Sequence, residues 1–126
     1  MRHTARLVIR MDELTALPAF QDNYIWLLHN RTGDAVVVDP GDAGPVIQAI
    51  RNGTRIAAIF ITHHHPDHIG GLTELRTACN APVYGPDDGR IQGIDRIVRE
   101  GDRIALAGFD DFQVWEVPGH TRSHLA

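Results

Sequence analysis

Residues 56–71 read IAAIFITHHHPDHIGG, and this stretch decides the fold. Its first part, Ile56–Ile61, is continuously apolar, which is typical of a strand buried on both faces. The following ten residues fit neither strand nor helix periodicity, and they place four histidines and one aspartate within positions 63–68. Two glycines, Gly70 and Gly71, close the stretch and let a following helix pack closely. The sequence therefore predicts a buried strand that ends in a loop of polar ligands.

The spacing within this loop indicates a metal site. Residues two apart in an extended or tightly turning segment project to the same side, so His63 and His65 are predicted to bind one cation. Asp67 and His68 lie on the turn into the helix and are predicted to face a second cation, with Asp67 as the candidate catalytic carboxylate. Imidazole and carboxylate donors suit zinc, iron or manganese. Two divalent ions are predicted, zinc by preference, and ions about 3.5–4 Å apart would share a water and lower its pKa to about 7.

The sequence supports predictions for four more residues in or near this site. His120 follows the last predicted strand, and the fold is expected to bring it to the first metal as a third ligand. Asp39 is a candidate for orienting a ligand imidazole, with a simple turn-forming role left open. His124 is a candidate for similar support or a plain loop residue. His64 interrupts the ligand pair and is predicted to point away from the metals.

Composition limits the other classes of function. A chain of 126 residues with a formal net charge of −4 has room for one domain and shows no basic footprint for nucleic acid. The single Cys79 leaves no intramolecular disulfide and favours the cytoplasm. No apolar run approaches the roughly 20 residues of a membrane helix. These features favour a cytoplasmic protein that acts on a small molecule.

Strand and helix signals alternate along the chain. One helix is predicted over Ala43–Arg51, with a capping aspartate before it and a glycine after it. A second helix is predicted from His68 or Gly70 to Cys79. Further strands are predicted at Leu14–Leu17, Tyr24–Leu28, Ala35–Val38, Pro82–Tyr84, Arg96–Val98, Arg103–Ala107 and Phe112–Val117. This alternation predicts an α/β layered fold.

The N-terminus is predicted to carry an extension. Residues 1–10 contain three arginines and no acid, and Met11 offers a second start. A short transit peptide is the alternative. Residues 11–126 are predicted to belong to one domain.

The motifs HxHxDH at residues 63–68 and PGHT at residues 118–121 together resemble the metallo-β-lactamase superfamily. Within it, LPAFxDNYIW at residues 17–26 and VDPGD at residues 38–42 are similar to the N-terminal part of the glyoxalase II (hydroxyacylglutathione hydrolase) family. The resemblance runs from Met11 onward. It implies a layered αββα fold, of which this chain holds the N-terminal half.

The resemblance also implies a ligand set and a reaction. It implies that His63, His65 and His120 bind the first metal, and that Asp67 and His68 bind the second. The implied reaction is hydrolysis of S-D-lactoylglutathione to glutathione and D-lactate by a metal-activated hydroxide, as in methylglyoxal detoxification. Family members continue further and supply a bridging aspartate, another histidine and a glutathione-binding region. The chain alone is therefore expected to be an incomplete fragment with negligible turnover.

Two alternatives stay open at this point. One is a persulfide dioxygenase of the same fold, which would use one iron held by two histidines and a carboxylate. The other is a catalytically inactive metal-binding fragment.

Residues 122–124 read RSH, where the glyoxalase II family often has glycine before its second histidine, so a close-packing glycine is absent there.

Overall fold

The structure is a computed structural model that describes residues 13–19, 23–62 and 70–114. Over these ranges the chain alternates between strands and two helices, as the sequence predicts. The elements in chain order are β1 (Glu13–Ala19), β2 (Asn23–His29), β3 (Asp34–Val38), α1 (Ala43–Arg51), β4 (Arg55–Phe60), α2 (Leu72–Ala78), β5 (Val83–Gly85), β6 (Arg96–Ile97), β7 (Arg103–Ile104) and β8 (Phe112–Gln113).

The first six strands form one mixed sheet in their sequence order. β1, β2 and β3 pair antiparallel, whereas β3, β4, β5 and β6 are parallel to one another. Helices α1 and α2 lie in the crossovers between parallel strands, the arrangement that such connections require. β7 and β8 pair antiparallel in a second, two-stranded sheet. The carboxyl ends of the four parallel strands therefore meet at one edge of the large sheet.

Each face of the large sheet has its own apolar core. On one face, α1 and α2 cover fully buried side chains that include Val37, Ile59 and Val83. On the opposite face, Val36 and Ala58 are buried beside the hairpin of β7 and β8. There the Phe60 ring packs edge-on against Phe112, with ring centroids 4.9 Å apart. One helical layer and two sheet layers are thus described, which confirms the predicted α/β layered fold.

Helix α1 begins and ends where its local sequence signals lie. The Asp42 side chain accepts a hydrogen bond of 2.9 Å from the Gly44 backbone N–H, as an N-cap residue does. Gly53 follows the end of the helix with φ of +104°, a conformation that glycine adopts without a steric penalty. Both bounds of the predicted helix are confirmed.

Helix α2 is shorter than predicted. It begins at Leu72, with Gly71 as the N-cap residue: the Gly71 carbonyl oxygen accepts the Leu75 N–H, while the Gly71 N–H donates to the Pro40 carbonyl oxygen. It ends at Ala78, because Cys79 has extended dihedrals ahead of Asn80. The Cys79 side chain is partly buried against the helix-side core, as the apolar face of this segment predicts.

A charged contact fixes α2 against the neighbouring strands. Arg76 donates to the Gly93 carbonyl at 2.7 Å and to Asp95 Oδ2 at 3.0 Å. The same Asp95 oxygen accepts the Val83 N–H at 2.8 Å. The Val83 N–H, and after it Arg76, lowers the pKa of Asp95 below its ordinary value. Both charged side chains are well exposed, so the contact orients α2 more than it stabilises the fold.

β5 keeps its predicted length of three residues but lies one residue later, at Val83–Gly85, whereas β6 and β7 are shorter than the sequence predicts. The prediction Arg103–Ala107 was wrong beyond Ile104, because Leu106 turns back to accept the N–H of Phe109. β6 stops one residue early, at Ile97. β8 covers Phe112–Gln113, and the predicted continuation through 115–117 lies outside the described residues. Within the described part of the chain, no helix has the length and hydrophobicity needed to cross a bilayer.

Candidate metal centre

The predicted metal ligands lie outside the described residues. His63, His65, Asp67 and His68 fall within positions 63–69, and His120 and His124 fall within positions 115–126. The same holds for His64 and for the predicted N-terminal extension. Their roles therefore stay predictions. The structure does describe Thr62 and Gly71, which flank the segment 63–70 that we call the ligand loop, and also Asp39.

Asp39 holds the residue that enters the ligand loop. Its carboxylate accepts the Thr62 backbone N–H at 2.7 Å through Oδ1 and the Thr62 hydroxyl at 2.6 Å through Oδ2. Its own N–H donates to the Phe60 carbonyl at 2.8 Å. Asp39 is a buried charged residue, with 7% of its surface exposed. Buried carboxylates are tolerated when hydrogen bonds of this kind satisfy them.

The backbone of Asp39 is itself unusual. Its φ of 53° is in the left-handed region, and it is the one non-glycine residue with positive φ among those described. Aspartate tolerates this conformation better than most residues. Such strain persists where the surroundings determine it. Here the conformation turns the carboxylate from the end of β3 towards the end of β4, where it reaches Thr62.

The other end of the ligand loop is fixed by a close backbone approach. The Gly71 N–H donates to the Pro40 carbonyl oxygen at 2.8 Å. A Cβ atom on Gly71 would lie 2.4 Å from the Ala43 nitrogen and 2.7 Å from the Asp42 carbonyl carbon. Only glycine fits this approach without a shift of backbone. The prediction that a glycine lets the following helix pack closely is confirmed at Gly71.

Both ends of the ligand loop are therefore held by one short segment, residues 39–43. Thr62 is bonded to Asp39, and Gly71 is pressed against Pro40 and Ala43. These two anchors lie on either side of the ligand loop, beside the carboxyl ends of β3 and β4. This edge of an open α/β sheet is where ligands generally bind. Closing the loop at both ends also removes conformational entropy that metal binding would otherwise have to remove.

The donors in the ligand loop suit a divalent cation. It carries four imidazoles and one carboxylate, and no thiolate, which is a set typical of zinc, iron or manganese. In the ranges 13–19, 23–62 and 70–114, no three histidine, cysteine, aspartate or glutamate side chains are grouped to hold a metal. The Asp39 carboxylate contacts Thr62, and the imidazoles that it is predicted to support lie outside the described residues. Its predicted support of a ligand therefore remains a prediction.

Asp39→Asn is expected to lower the zinc affinity by about 10- to 100-fold, the range for removing a partner behind a ligand. Asparagine tolerates the left-handed backbone, but it offers one acceptor oxygen where Thr62 presents two donors. The dissociation constant is measured by competition with a chromophoric chelator. Asp42→Asn is the matched control, because asparagine caps a helix as well as aspartate. An unchanged zinc affinity in Asp39→Asn would show that the Thr62 contact does not shape the site.

Sequence reasoning did not single out Thr62. A threonine between a buried strand and a histidine run carries no signal of its own. Its role follows from the parallel pairing of β3 with β4, in which Val38 lies opposite Phe60 and the two strand ends lie side by side. Asp39 was identified from its place after a strand, but its partner was not.

The comparison with known sequences identifies relatives over most of the chain. Residues 19–125 match the model of the metallo-beta-lactamase superfamily. The hydroxyacylglutathione hydrolase of Xanthomonas campestris pv. campestris is 55% identical over 115 residues, which are 90% of this chain and 45% of that protein. The protein of the same name from Pseudomonas fluorescens is 47% identical over 118 residues, 91% of this chain and 46% of its own length. The chain thus spans about half the length of the curated relatives it matches.

Solved structures show the same fold. The BLEG-1 B3 metallo-beta-lactamase superposes with a TM-score of 0.78 at 26% identity, covering 90% of this chain and 65% of that one. ETHE1 from Myxococcus xanthus superposes with a TM-score of 0.75 at 27% identity, covering 90% of this chain and 52% of that one. The arrangement of strands and helices around the ligand loop therefore has experimentally solved counterparts.

Proposed function

Because the chain belongs to the metallo-β-lactamase superfamily, we propose that it supplies the metal-binding half of an enzyme that hydrolyses S-D-lactoylglutathione to glutathione and D-lactate. The observation that carries this proposal is the 55% identity with a hydroxyacylglutathione hydrolase over 90% of the chain. The predicted resemblance to that family is confirmed at the level of sequence. The substrate and the activity belong to the whole protein and are proposed here.

The proposal gives each site residue a role. His63, His65 and His120 hold one divalent cation, and Asp67 and His68 hold another. Bound divalent cations supply a nucleophile by acidifying a water, and they polarise the thioester carbonyl. Zinc is the proposed metal, with iron or manganese as substitutes.

The described residues support this proposal because they fix the backbone on both sides of the ligand loop. Asp39 holds Thr62, and therefore the backbone directly before His63, through two hydrogen bonds of 2.7 and 2.6 Å. Gly71 fixes the backbone after the loop against residues 40–43. A backbone fixed on both sides of the loop has less conformational freedom to lose, which lowers the entropic cost of binding a metal. The leaving group of a thioester is a thiolate, which departs without protonation by a strong acid. No general acid from this chain is therefore required.

The proposed setting is the cytoplasm, on the ground of the single cysteine in the sequence. The proposed partner is a small glutathione thioester, and no nucleic acid is involved. The competing iron dioxygenase is distinguished by metal content and by consumption of oxygen.

The test uses two proteins. One is the chain of 126 residues, and the other, the extended protein, continues it with the C-terminal half of the Xanthomonas campestris relative. Loss of the thioester absorbance of S-D-lactoylglutathione is followed after loading with zinc, iron or manganese. We expect turnover by the extended protein and negligible turnover by the 126 residues alone. An extended protein that folds and binds metal but leaves the thioester intact, or that consumes oxygen with a persulfide, would contradict the proposal.

A further inference from the structure

The β7–β8 hairpin crosses the sheet face opposite the helices from one edge to the other. At its turn, the Gly108 carbonyl oxygen accepts a hydrogen bond of 3.3 Å from the Asn30 side chain, which lies beside the amino end of β3. Four residues later, the Phe112 ring packs against Phe60, the last residue of β4. Between Gly108 and Phe112 the chain therefore runs from the amino ends of the parallel strands to their carboxyl ends, and β8 points towards the edge of the ligand loop.

The turn of this hairpin is fixed by a close approach to Asn30. Asn30 Oδ1 accepts the backbone N–H groups of Thr32 and Asp34, each at 3.0 Å, so the amide has a defined orientation. A Cβ atom on Gly108 would lie 2.7 Å from Asn30 Nδ2, and φ at Gly108 is +86°. Glycine meets both requirements without strain. The hairpin therefore has a defined position at its turn, and the direction of β8 depends on the contacts at its other end.

At that other end, aromatic rings join β8 to the large sheet. The Phe60 and Phe112 rings meet edge-on, with centroids 4.9 Å apart and ring planes at 87°. Phe60 also meets the Tyr84 ring edge-on, at 5.6 Å. Edge-on ring pairs have a preferred geometry, unlike contacts between aliphatic side chains. Val114, two residues after Phe112, is buried in the same core. The contact between Phe60 and Phe112 therefore orients β8 on β4.

The two rings precede the two segments that carry the predicted ligands of the first cation. Phe60 is three residues before His63, and its carbonyl oxygen accepts the Asp39 N–H at 2.8 Å. Phe112 is eight residues before His120. The ring contact thus joins the two parts of the chain whose histidines would have to converge on one metal.

We propose that Phe112 is a positioning residue for the metal centre, and that its contact with Phe60 sets how the segment of His120 meets the ligand loop. This inference rests on the ligand role that the proposed function gives to His120, and it adds a residue that binds no metal itself. Leucine in place of Phe112 keeps an apolar core but cannot form the edge-on ring contact. The segment of His120 then has a less defined starting geometry, and ordering it costs more of the binding free energy of the metal.

The test is a double-mutant cycle for zinc binding by the chain of 126 residues, with Phe112→Leu and His120→Ala made singly and together. Dissociation constants are measured by competition with chelators of graded affinity, so that weak binding is measured as well. We expect Phe112→Leu to weaken zinc binding about 10-fold, the lower end of the range for residues that support a ligand. With His120→Ala in place, Phe112→Leu is expected to change the zinc affinity less than about twofold, because its effect passes through His120.

Phe109→Leu is the matched control, because Phe109 is also partly buried against this face, next to the turn, with its ring centroid 6.1 Å from that of Phe112. It is expected to lower the urea midpoint of unfolding about as much as Phe112→Leu does, and to change the zinc affinity less than about twofold. Equal weakening of zinc binding by both phenylalanine variants would show that the rings only stabilise the fold, and the inference would be wrong.

Zinc binding needs no turnover, so this result is separate from the thioesterase activity. If Phe112→Leu weakens zinc binding equally with and without His120, or in neither case, the inference is wrong while the proposed function stands. If the unmodified chain binds no zinc, or if His120→Ala binds it as tightly as the unmodified chain, the ligand assignment fails first and the inference fails with it.

Discussion

His65→Ala in the extended protein is expected to reduce kcat/KM for S-D-lactoylglutathione by more than about 100-fold. Removing a group that merely supports a ligand already costs about 10- to 100-fold, so loss of a ligand itself should cost more. In the proposed assignment, alanine leaves the first cation with one fewer imidazole while the frame at Asp39 and Thr62 is untouched. The metal content, measured by elemental analysis alongside the rate, is expected to fall together with activity.

His64→Ala is the matched control, because His64 is adjacent in sequence and is predicted to point away from the metals. Its activity and metal content are expected to stay within about twofold of the unmodified protein, as for other surface substitutions. A His65→Ala variant with full metal content and an undiminished rate would contradict the ligand assignment. Equal losses in both variants would show that the loop tolerates no substitution, and that the spacing of His63 and His65 does not identify the ligands.

The parts of the fold that follow from local signals were predictable from sequence. The bounds of helix α1 were predictable because Asp42 caps its first turn and Gly53 adopts the positive φ that follows its last turn. β4 was predictable because a strand buried on both faces is continuously apolar, and β3 was predictable from the turn residues that precede it. In each case the signal lies within a few residues of the element that it defines.

Short strands and their partners were harder to predict. β6, β7 and β8 have two residues each, and their lengths depend on pairing with distant segments. The turn at Leu106 and Phe109 packs against the core of another sheet, which no local pattern encodes. Likewise, nothing in the sequence around Asp88 indicates that its carboxylate is buried while Arg90 is exposed.

The candidate site likewise has one part that local sequence encodes and another that depends on tertiary contacts. Its predicted ligands follow from imidazoles and a carboxylate at fixed spacing after a strand, and that part is local. The frame on either side of them is tertiary: Asp39 and Thr62 are 23 residues apart, and Gly71 and Pro40 are 31 residues apart. A glycine at position 71 was predictable as a close-packing residue, but its contact surface was not.

Gly71→Ala is expected to lower the free energy of unfolding by about 3 kcal/mol or more, at the upper end of the cost of overpacking. The added Cβ would lie 2.4 Å from the Ala43 nitrogen, 2.7 Å from the Asp42 carbonyl carbon and 2.8 Å from the Pro40 carbonyl oxygen. All three are backbone atoms, so no side-chain rotation relieves the clash. Either α2 or the segment 40–43 must shift, and both hold the ligand loop. Urea unfolding measures the loss, and zinc affinity is expected to fall with it.

Gly89→Ala isolates the effect of this contact, because a Cβ there meets nothing within 4 Å and needs no left-handed backbone. The change in unfolding free energy is expected to stay within about 0.5 kcal/mol, as for other surface positions. Since both variants make the same chemical change, their difference measures the close approach at Gly71 rather than glycine's chain entropy. If the two variants lose equal stability, the backbone contact between Gly71 and residues 40–43 does not hold the ligand loop. If Gly71→Ala loses stability but keeps its zinc affinity, the frame stabilises the fold without shaping the metal site.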